Sequence, residues 1–465
     1  MNTEATKTIR PNYLPTAGKL LAVLLLILDL AGLYLFWVVA QCLFNQSSTF
    51  SWLIPSTKLW PYFFLLVFFY IFELYKVNLQ ISGLRSAPRT FVAAITACIL
   101  IVFFNAINPL ATPMPLKIIA INFGLFSLWA SLWRYVVAVV SEARIEKIRW
   151  LVIDPENIFA NIYPQFVKKH SNQNFNILTD STDFECNDFL KHLGNLDSLA
   201  DIKTQSWSGV VITNPKLLSN EQTETLLNMR MSGIRVYNLH QFYEQYLYKI
   251  PVTHLEKDWF TVAQGFDLLH NPIGLKFKRI TDLVLSMFLL ILMIPVIFLV
   301  MLVVKLTSRG PIFFTQVRTG ENGTTFKLYK FRSMKQDAEK HGAQWATQND
   351  PRITRIGKFL RKSRLDELPQ LWNVFKGDMS FIGPRPERPV FNRELEKVIP
   401  FFNLRHLVKP GITGWAQVLY PYGASVEDAK EKVEYDLYYI KNYSVFLDFS
   451  ISLKTLRVIF LGKGR

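Results

Sequence analysis

Cysteine is scarce in this chain, with three in 465 residues. Cys42 and Cys98 fall in apolar runs and Cys186 in a polar one, without C-x-x-C or Cys/His ligand spacing, so neither a disulfide framework nor a zinc site is supported. The seven histidines are scattered and read as ordinary surface or core residues. The N-terminus lacks the short apolar core and small-residue cleavage site of a removable signal peptide, so the first apolar run is expected to stay as a membrane helix. A nucleic-acid motif and aromatic-interleaved basic strands are missing as well. The net charge of +16 therefore points to anionic lipid head groups and phosphorylated substrates rather than to nucleic acid.

What is abundant is apolar sequence, half of the chain, which is high for a soluble protein. Four runs near bilayer length come first: Leu20 to Phe44, Leu59 to Tyr75, Thr90 to Ile107 and Leu116 to Val140. Glu73 suggests that the second ends at the interface. Lys7, Arg10 and Lys19 precede the first run, Lys76, Arg85 and Arg89 separate the second and third, and Arg144, Lys147 and Arg149 follow the fourth. The other two connections hold only Lys58 and Lys117, so both ends of a four-helix unit are expected on the cytoplasmic side. Arg134 is expected to snorkel to that face. With Asp29 as the other main internal charge, the helices suit an anchor rather than a transport path.

From Arg149 the composition turns soluble. Trp150 to Ile153, Phe175 to Leu178, Val210 to Thr213 and Ile234 to Tyr237 read as short buried strands, with helices near Ile158 to His170 and Glu221 to Met231. Such alternation predicts a small parallel-sheet α/β domain ending near Leu239. Asp154-Pro155-Glu156-Asn157 stands where a dinucleotide fold carries G-x-G-x-x-G, so a working nucleotide site is not expected. An aromatic-rich connector follows, expected to pack against the membrane interface or a neighbouring domain.

Ile280 to Val304 could span a membrane by length, yet Lys276, Lys278 and Arg279 before it and Lys305 and Arg309 after it favour one side for both ends. Pro295 supplies a break, predicting a helix-break-helix that enters and leaves by the same face. Pro311 to Arg318 and Thr325 to Phe331 read as a hairpin around Gly320-Glu321-Asn322-Gly323, whose second strand delivers Lys330, Arg332 and Ser333. Arg352 to Lys362 reads either as an amphipathic basic helix in the head-group layer or as a solvated charged face. Next come the adjacent carboxylates Asp366 and Glu367, amid Arg361, Lys362, Arg364, Arg385 and Arg388. Ser363 and Asp366 have capping-box spacing, and Pro369 is tolerated in a first turn. The helix is expected to run along Leu368, Leu371, Trp372 and Phe375 to a left-handed cap at Gly377. Its positive N-terminal end favours ionised carboxylate and bound phosphate, where an Asp acts as a nucleophile, ligates a metal, or simply stabilises the helix.

KFRSM from Lys330, SRLDELPQLWNVFKGDMSFIGPRP from Ser363 and PGITGWAQV from Pro410 resemble the bacterial sugar transferase family, the monotopic polyprenyl-phosphate phosphoglycosyltransferases, over roughly Leu275 to the C-terminus. The resemblance implies transfer of a sugar 1-phosphate from a UDP-sugar to undecaprenyl phosphate with Mg2+, releasing UMP, in polysaccharide synthesis. It makes Asp366 the nucleophile of a covalent phosphosugar intermediate and Glu367 the metal ligand, with Asp378 and Asp436 as weaker candidates. Arg361 and Arg385, with Lys330 and Arg332, become phosphate-binding. Because nucleotide sugars are cytoplasmic, it also favours a re-entrant segment over a span.

The expected architecture is a membrane protein of the α/β class in four parts. Residues 1–145 form a four-helix transmembrane bundle and 146–239 a degenerate Rossmann-like α/β domain, similar to that of longer family members. Residues 240–274 are the connector. Residues 275–465 hold a re-entrant membrane helix leading into a mostly helical catalytic domain with a β-hairpin. A bacterial inner-membrane, multi-pass, homodimeric enzyme with a cytoplasmic catalytic domain is implied. The competing readings are a non-enzymatic scaffold of polysaccharide assembly and a membrane-bound nucleotide-sugar dehydratase, which the missing glycines disfavour.

Overall fold

The structure, a computed structural model, describes residues 15–44, 59–75, 86–107, 116–144, 148–169, 173–181, 190–202, 205–255, 259–260, 263–308, 310–336, 338, 350–420, 423 and 425–460. They divide into two units, Met1–Phe242 and Tyr243–Arg465.

In the first unit the four apolar runs become helices α1 (Pro15–Phe44), α2 (Trp60–Ile71), α3 (Ala87–Ile107) and α4 (Leu116–Arg144). Two of them, over Leu20–Leu43 and Lys117–Val140, are long and apolar enough to cross a membrane. At 12 residues, α2 extends roughly 18 Å, well short of a bilayer core of roughly 30 Å. Trp37, Leu65, Phe69, Ala97 and Phe126 form the buried apolar core that these helices share.

Arg134 does not snorkel. It is 2% exposed, and its two terminal nitrogens donate to Asp29 Oδ1 and Oδ2 at 3.0 and 2.8 Å, while Nε donates to Leu74 O at 3.1 Å. A fully buried carboxylate on a neighbouring helix lets both charges be satisfied in place, which removes the drive towards water.

A parallel five-stranded sheet follows, in the order β3-β2-β1-β4-β5. Its strands are β1 (Ile148–Ile153), β2 (Gln173–Leu178), β3 (Leu190–Gly194), β4 (Gly209–Ile212) and β5 (Val236–Asn238), flanked by α5 (Phe159–Lys169) and α6 (Asn220–Met231). Four strands lie within two residues of the sequence reading. The edge strand β3 escaped it because the segment LKHLG buries only Leu190 fully and carries no apolar run. The unit continues to Phe242, whose ring sits 5.0 Å from Trp150 and 4.8 Å from Phe166. After β1, Asp154 is fully buried. It accepts from the Ile158 and Phe159 amides at 3.0 and 2.6 Å and from Thr213 Oγ1 at 2.8 Å. Where a dinucleotide fold leaves amides open for phosphate, an internal carboxylate occupies them.

In the second unit the connector is no bare linker. Ile250 and Val252 are core residues beside Phe402, Val433 and Tyr439, with Trp259, Phe260 and Phe266 packed against them. Lys249 pairs with Glu431 and Glu434 at 2.7 and 2.9 Å. Helices α7 (Pro272–Leu292) and α8 (Ile294–Thr307) are bent by 62° at Met293, with Pro295 in the first turn of α8. There its missing N–H costs no helical bond, so it starts a helix instead of interrupting one.

Strands β6 (Phe313–Thr319) and β7 (Thr325–Phe331) form the antiparallel hairpin. The basic helix is α9 (Arg355–Lys362), capped by Thr354 Oγ1 accepting from Gly357 N at 3.0 Å. Val300 and Val304 of α8 pack beneath Phe331 of β7 and Leu360 of α9, so the hairpin and basic helix rest on the second half of the bent pair. A short parallel pair, β8 (Ser380–Ile382) with β9 (Gly411–Thr413), completes the unit's sheet structure among the described residues. The close approach there requires glycine, because a Cβ on Gly411 would lie 2.1 Å from Gly383 N.

Candidate active site

The carboxylates do not sit in a capped α-helical turn. Ser363 instead ends α9, its hydroxyl donating to Phe359 O at 2.9 Å, so the capping box is not made. Arg364 reverses the chain at φ 60°, a 3-10 turn over Leu365–Glu367 presents the pair, and α10 (Gln370–Lys376) begins after Pro369. Gly377 takes the left-handed cap at φ 101°. Leu371 and Val374 face the core, whereas Trp372 is 51% exposed and stacks on Phe375.

Two sets of contacts fix α10, and a third fixes β8 behind it, from sides that the sequence did not reveal. Buried Asn373 accepts from Tyr329 N at 3.1 Å and donates to Lys327 O at 2.7 Å, completing the edge of β7 as a strand would. That clamp holds Glu367 and Lys330 in register. Arg279 of α7 donates to Val374 O and Phe375 O at 2.6 and 2.7 Å, placing a cation on the helix's negative end. Asp282 of α7 accepts from Phe381 N at 2.9 Å. An Asn in a helix interior, and charges within an otherwise apolar segment, were the only signals of these roles.

Glu367 is the hub. Its Oε1 receives Lys330 Nζ at 2.9 Å and Arg385 at 3.1 Å, and its Oε2 receives Arg364 at 3.2 Å. Burial alone would raise its pKa, but Lys330, Arg385 and Arg364 together hold it well below the usual carboxylate range. Asp366 is equally buried, and its Oδ1 has no hydrogen-bond partner. Burial, then the neighbouring Glu367 charge, pushes its pKa up to about 6 against the pull of Lys330, Arg361 and Arg364. Lys330 is itself lowered, chiefly by burial. Four cations thus surround two carboxylates, and one carboxylate oxygen, Asp366 Oδ1, accepts no hydrogen bond.

Arg385 is held by its loop. The carbonyls of Pro384, Arg385, Pro386 and Glu387 accept in turn from Gly411 N, Arg405 Nη2, Arg318 Nη1 and Thr319 N at 2.9–3.0 Å. Arg405 is paired with buried Asp436 at 2.7 Å.

Asp366, Glu367, Lys330, Arg361 and Arg385 therefore come together, Arg361 by its charge near Asp366, with its Nε donating to Ser333 Oγ at 2.9 Å. Arg332 makes no hydrogen bond or ion pair to these five residues. Its Nη2 donates to Ser308 O and Oγ at 2.7 Å, tying the strand end to the residue that closes α8. Asp378 accepts from Asn373 and Lys376 in the turn after α10, and Asp436 belongs to the pair behind Arg385, so neither stands in the cluster. Among the described residues no group of three or more His, Cys, Asp or Glu stands together. With both oxygens of Glu367 on cations, these residues do not fit a resident metal ion.

Residues 273–462 match the family model described as bacterial sugar transferase. The chain is 43% identical over 247 residues to the UDP-N-acetylgalactosamine-undecaprenyl-phosphate N-acetylgalactosaminephosphotransferase of Aeromonas hydrophila, covering 53% of this chain and 57% of that one. It is 45% identical over 211 residues to the UDP-glucose:undecaprenyl-phosphate glucose-1-phosphate transferase of Escherichia coli K12, covering 45% of this chain and 46% of the relative. The chain thus spans about half the length of these two. The exopolysaccharide production protein PSS of Rhizobium leguminosarum is matched along its whole length, at 40% identity over 199 residues, 41% of this chain. A site built on the family's own motifs and a relative covered from end to end agree: this chain belongs to the bacterial sugar transferase family.

Proposed function

We propose that this chain transfers a sugar 1-phosphate from a UDP-sugar to undecaprenyl phosphate at a membrane surface, an early step of polysaccharide assembly. The observation that carries the reading is the unpartnered Asp366 oxygen inside a cluster with cations in excess. Such a group attracts a diphosphate, and it leaves one nucleophile unmet.

In the first step Asp366 Oδ1 attacks the sugar-bearing phosphorus. A P–O bond forms, the bond to the bridging oxygen breaks, and its electron pair leaves with UMP. A phosphate oxygen of the acceptor then attacks the same phosphorus and expels the Asp366 carboxylate, giving lipid diphosphate sugar. Arg385, fixed by its loop, and Arg361 and Lys330 hold phosphate oxygens, while Glu367 positions Lys330 and Arg385 by its ion pairs. Mg2+ is proposed to arrive with the donor diphosphate, where it supplies charge neutralisation, rather than to be held by Glu367.

A bacterial inner-membrane chain with four spans, a cytoplasmic catalytic unit, a re-entrant α7–α8 pair and a homodimeric state completes the proposal. The two long apolar helices support the membrane anchor, and the bend at Met293 supports the re-entrant pair. The seat of the hairpin and α9 on α8 gives a soluble donor and a lipid acceptor one meeting place. The saturated Asp154 speaks against the dehydratase reading.

Membranes holding the chain, supplied with UDP-sugar labelled in the sugar phosphate, Mg2+ and undecaprenyl phosphate, should yield labelled lipid and UMP. Without acceptor, the label should stay on Asp366. Lipid product forming while the chain never carries label sinks the covalent route, and the absence of any lipid product sinks the transferase reading. Chelating Mg2+ should stop turnover without moving the thermal unfolding midpoint, because no resident ion is lost.

A further inference from the structure

Arg364 occupies a position that ordinarily goes to glycine. It follows the C-terminal residue of α9 with φ 60° and ψ 12°, the left-handed conformation in which a Cβ crowds the neighbouring carbonyl. Tyr248, Phe266 and Phe401 share that backbone region, but each packs its ring against the core. Arg364 has no such anchorage. Its side chain is 28% exposed, and its contact is the ion pair with Glu367 Oε2 at 3.2 Å. One of five guanidinium N–H groups is used there, among the described residues. Its ion pair adds a third cation to a carboxylate that Lys330 and Arg385 already hold, more charge than Glu367 alone needs, and strain of this kind collects at functional sites.

We propose that Arg364 is a donor-binding residue, whose uncommitted N–H groups grip a phosphate oxygen of the nucleotide while one N–H stays on Glu367. The inference rests on the transferase reading and deepens it. Lys330 and Arg385 approach Glu367 Oε1, whereas Arg364 approaches Oε2. A diphosphate lying across the carboxylate therefore meets cations on both sides. Bidentate grip on phosphate is the property that distinguishes arginine from lysine here.

The test uses the full chain in lipid nanodiscs, with UMP and UDP as probes, and compares wild type with Arg364→Gly and Arg364→Lys. Arg364→Gly should weaken UMP binding by roughly tenfold and raise the donor KM similarly, with kcat falling less. Its unfolding midpoint should stay level or rise by roughly two degrees, since glycine relieves the left-handed residue and one cation leaves the cluster. Arg364→Lys should recover part of the binding. UMP affinity within twofold of wild type in Arg364→Gly, or a lysine variant no better than glycine, overturns the assignment and leaves the transferase reading intact. A midpoint several degrees lower in Arg364→Gly makes the residue structural and overturns it too. If wild type itself neither binds UMP nor turns over, the reading of the site has failed and the assignment falls with it.

Discussion

Two aspartates stand just ahead of helices in this chain and are held in opposite ways. Asp154 in the α/β sheet is fully buried, and its two oxygens take two amides and a hydroxyl. Asp366 in the second unit is 6% exposed, with its Oδ1 unmet, beside a second carboxylate. A carboxylate whose two oxygens both accept hydrogen bonds from neighbouring elements is fastening those elements together. One kept buried, with an oxygen that accepts no hydrogen bond and beside a second carboxylate, carries a charge whose cost protonation or a bound group relieves.

The comparison breaks most sharply at Asp366. Asp366→Asn keeps the shape of the side chain and removes its nucleophilic oxygen, so turnover should fall on the order of 10³-fold or more, about 4 kcal/mol of barrier. Donor binding should survive, since the cations are untouched. Retained full activity in a purified chain would return Asp366 to the same structural class as Asp154.

The raised pKa of Asp366 gives the next effect. Attack requires the ionised form, and the carboxyl titrates at about 6. The rate should therefore rise with pH through that value and fall by up to about tenfold per pH unit below it. Glu367→Gln removes the like charge that raises Asp366, so in a pH–rate profile the acid limb should move to lower pH. A limb that stays in place would assign it to another group.

Which parts of this difference were legible in the sequence follows from how local each determinant is. The DE pair, the basic residues around it, Pro369 and Gly377 act over a few neighbours, and they could be read directly. The partners of Asp29 and Arg134 lie 105 residues apart, and those of Asn373 lie more than 40 residues away on β7. Pairing at that range is decided by packing, which no periodicity encodes. Ser363 was misread for a related reason. Its spacing to Asp366 suits a cap, but α9 was still running and took its hydroxyl first. The edge strand β3 lacks the apolar signature because one side of it is open to solvent.

Asp154→Ala probes the other side of the comparison. It strips two amides and the Thr213 hydroxyl of their acceptor, and should cost the α/β unit about 1–3 kcal/mol, measured by hydrogen exchange at β1 and α5. Sugar-phosphate transfer measured on the folded fraction should be unchanged. A selective loss of turnover with the sheet intact would give Asp154 a functional part that its saturated contacts do not suggest.

The smallest effect is expected at Arg332, which the KFRSM motif placed among the phosphate binders. Its Nη2 donates to Ser308 O and Oγ, at the end of α8. Arg332→Gln keeps a donor long enough to approach those oxygens while removing the charge. If the residue fastens the hairpin to the bent helix pair, kcat/KM for the donor should stay within about threefold of wild type, with the loss appearing in the unfolding midpoint instead. If it binds phosphate, the neutral variant should raise the donor KM tenfold or more at an unchanged midpoint. The two outcomes separate a cation that completes the site from one that holds its floor in place, the same distinction that divides Asp366 from Asp154.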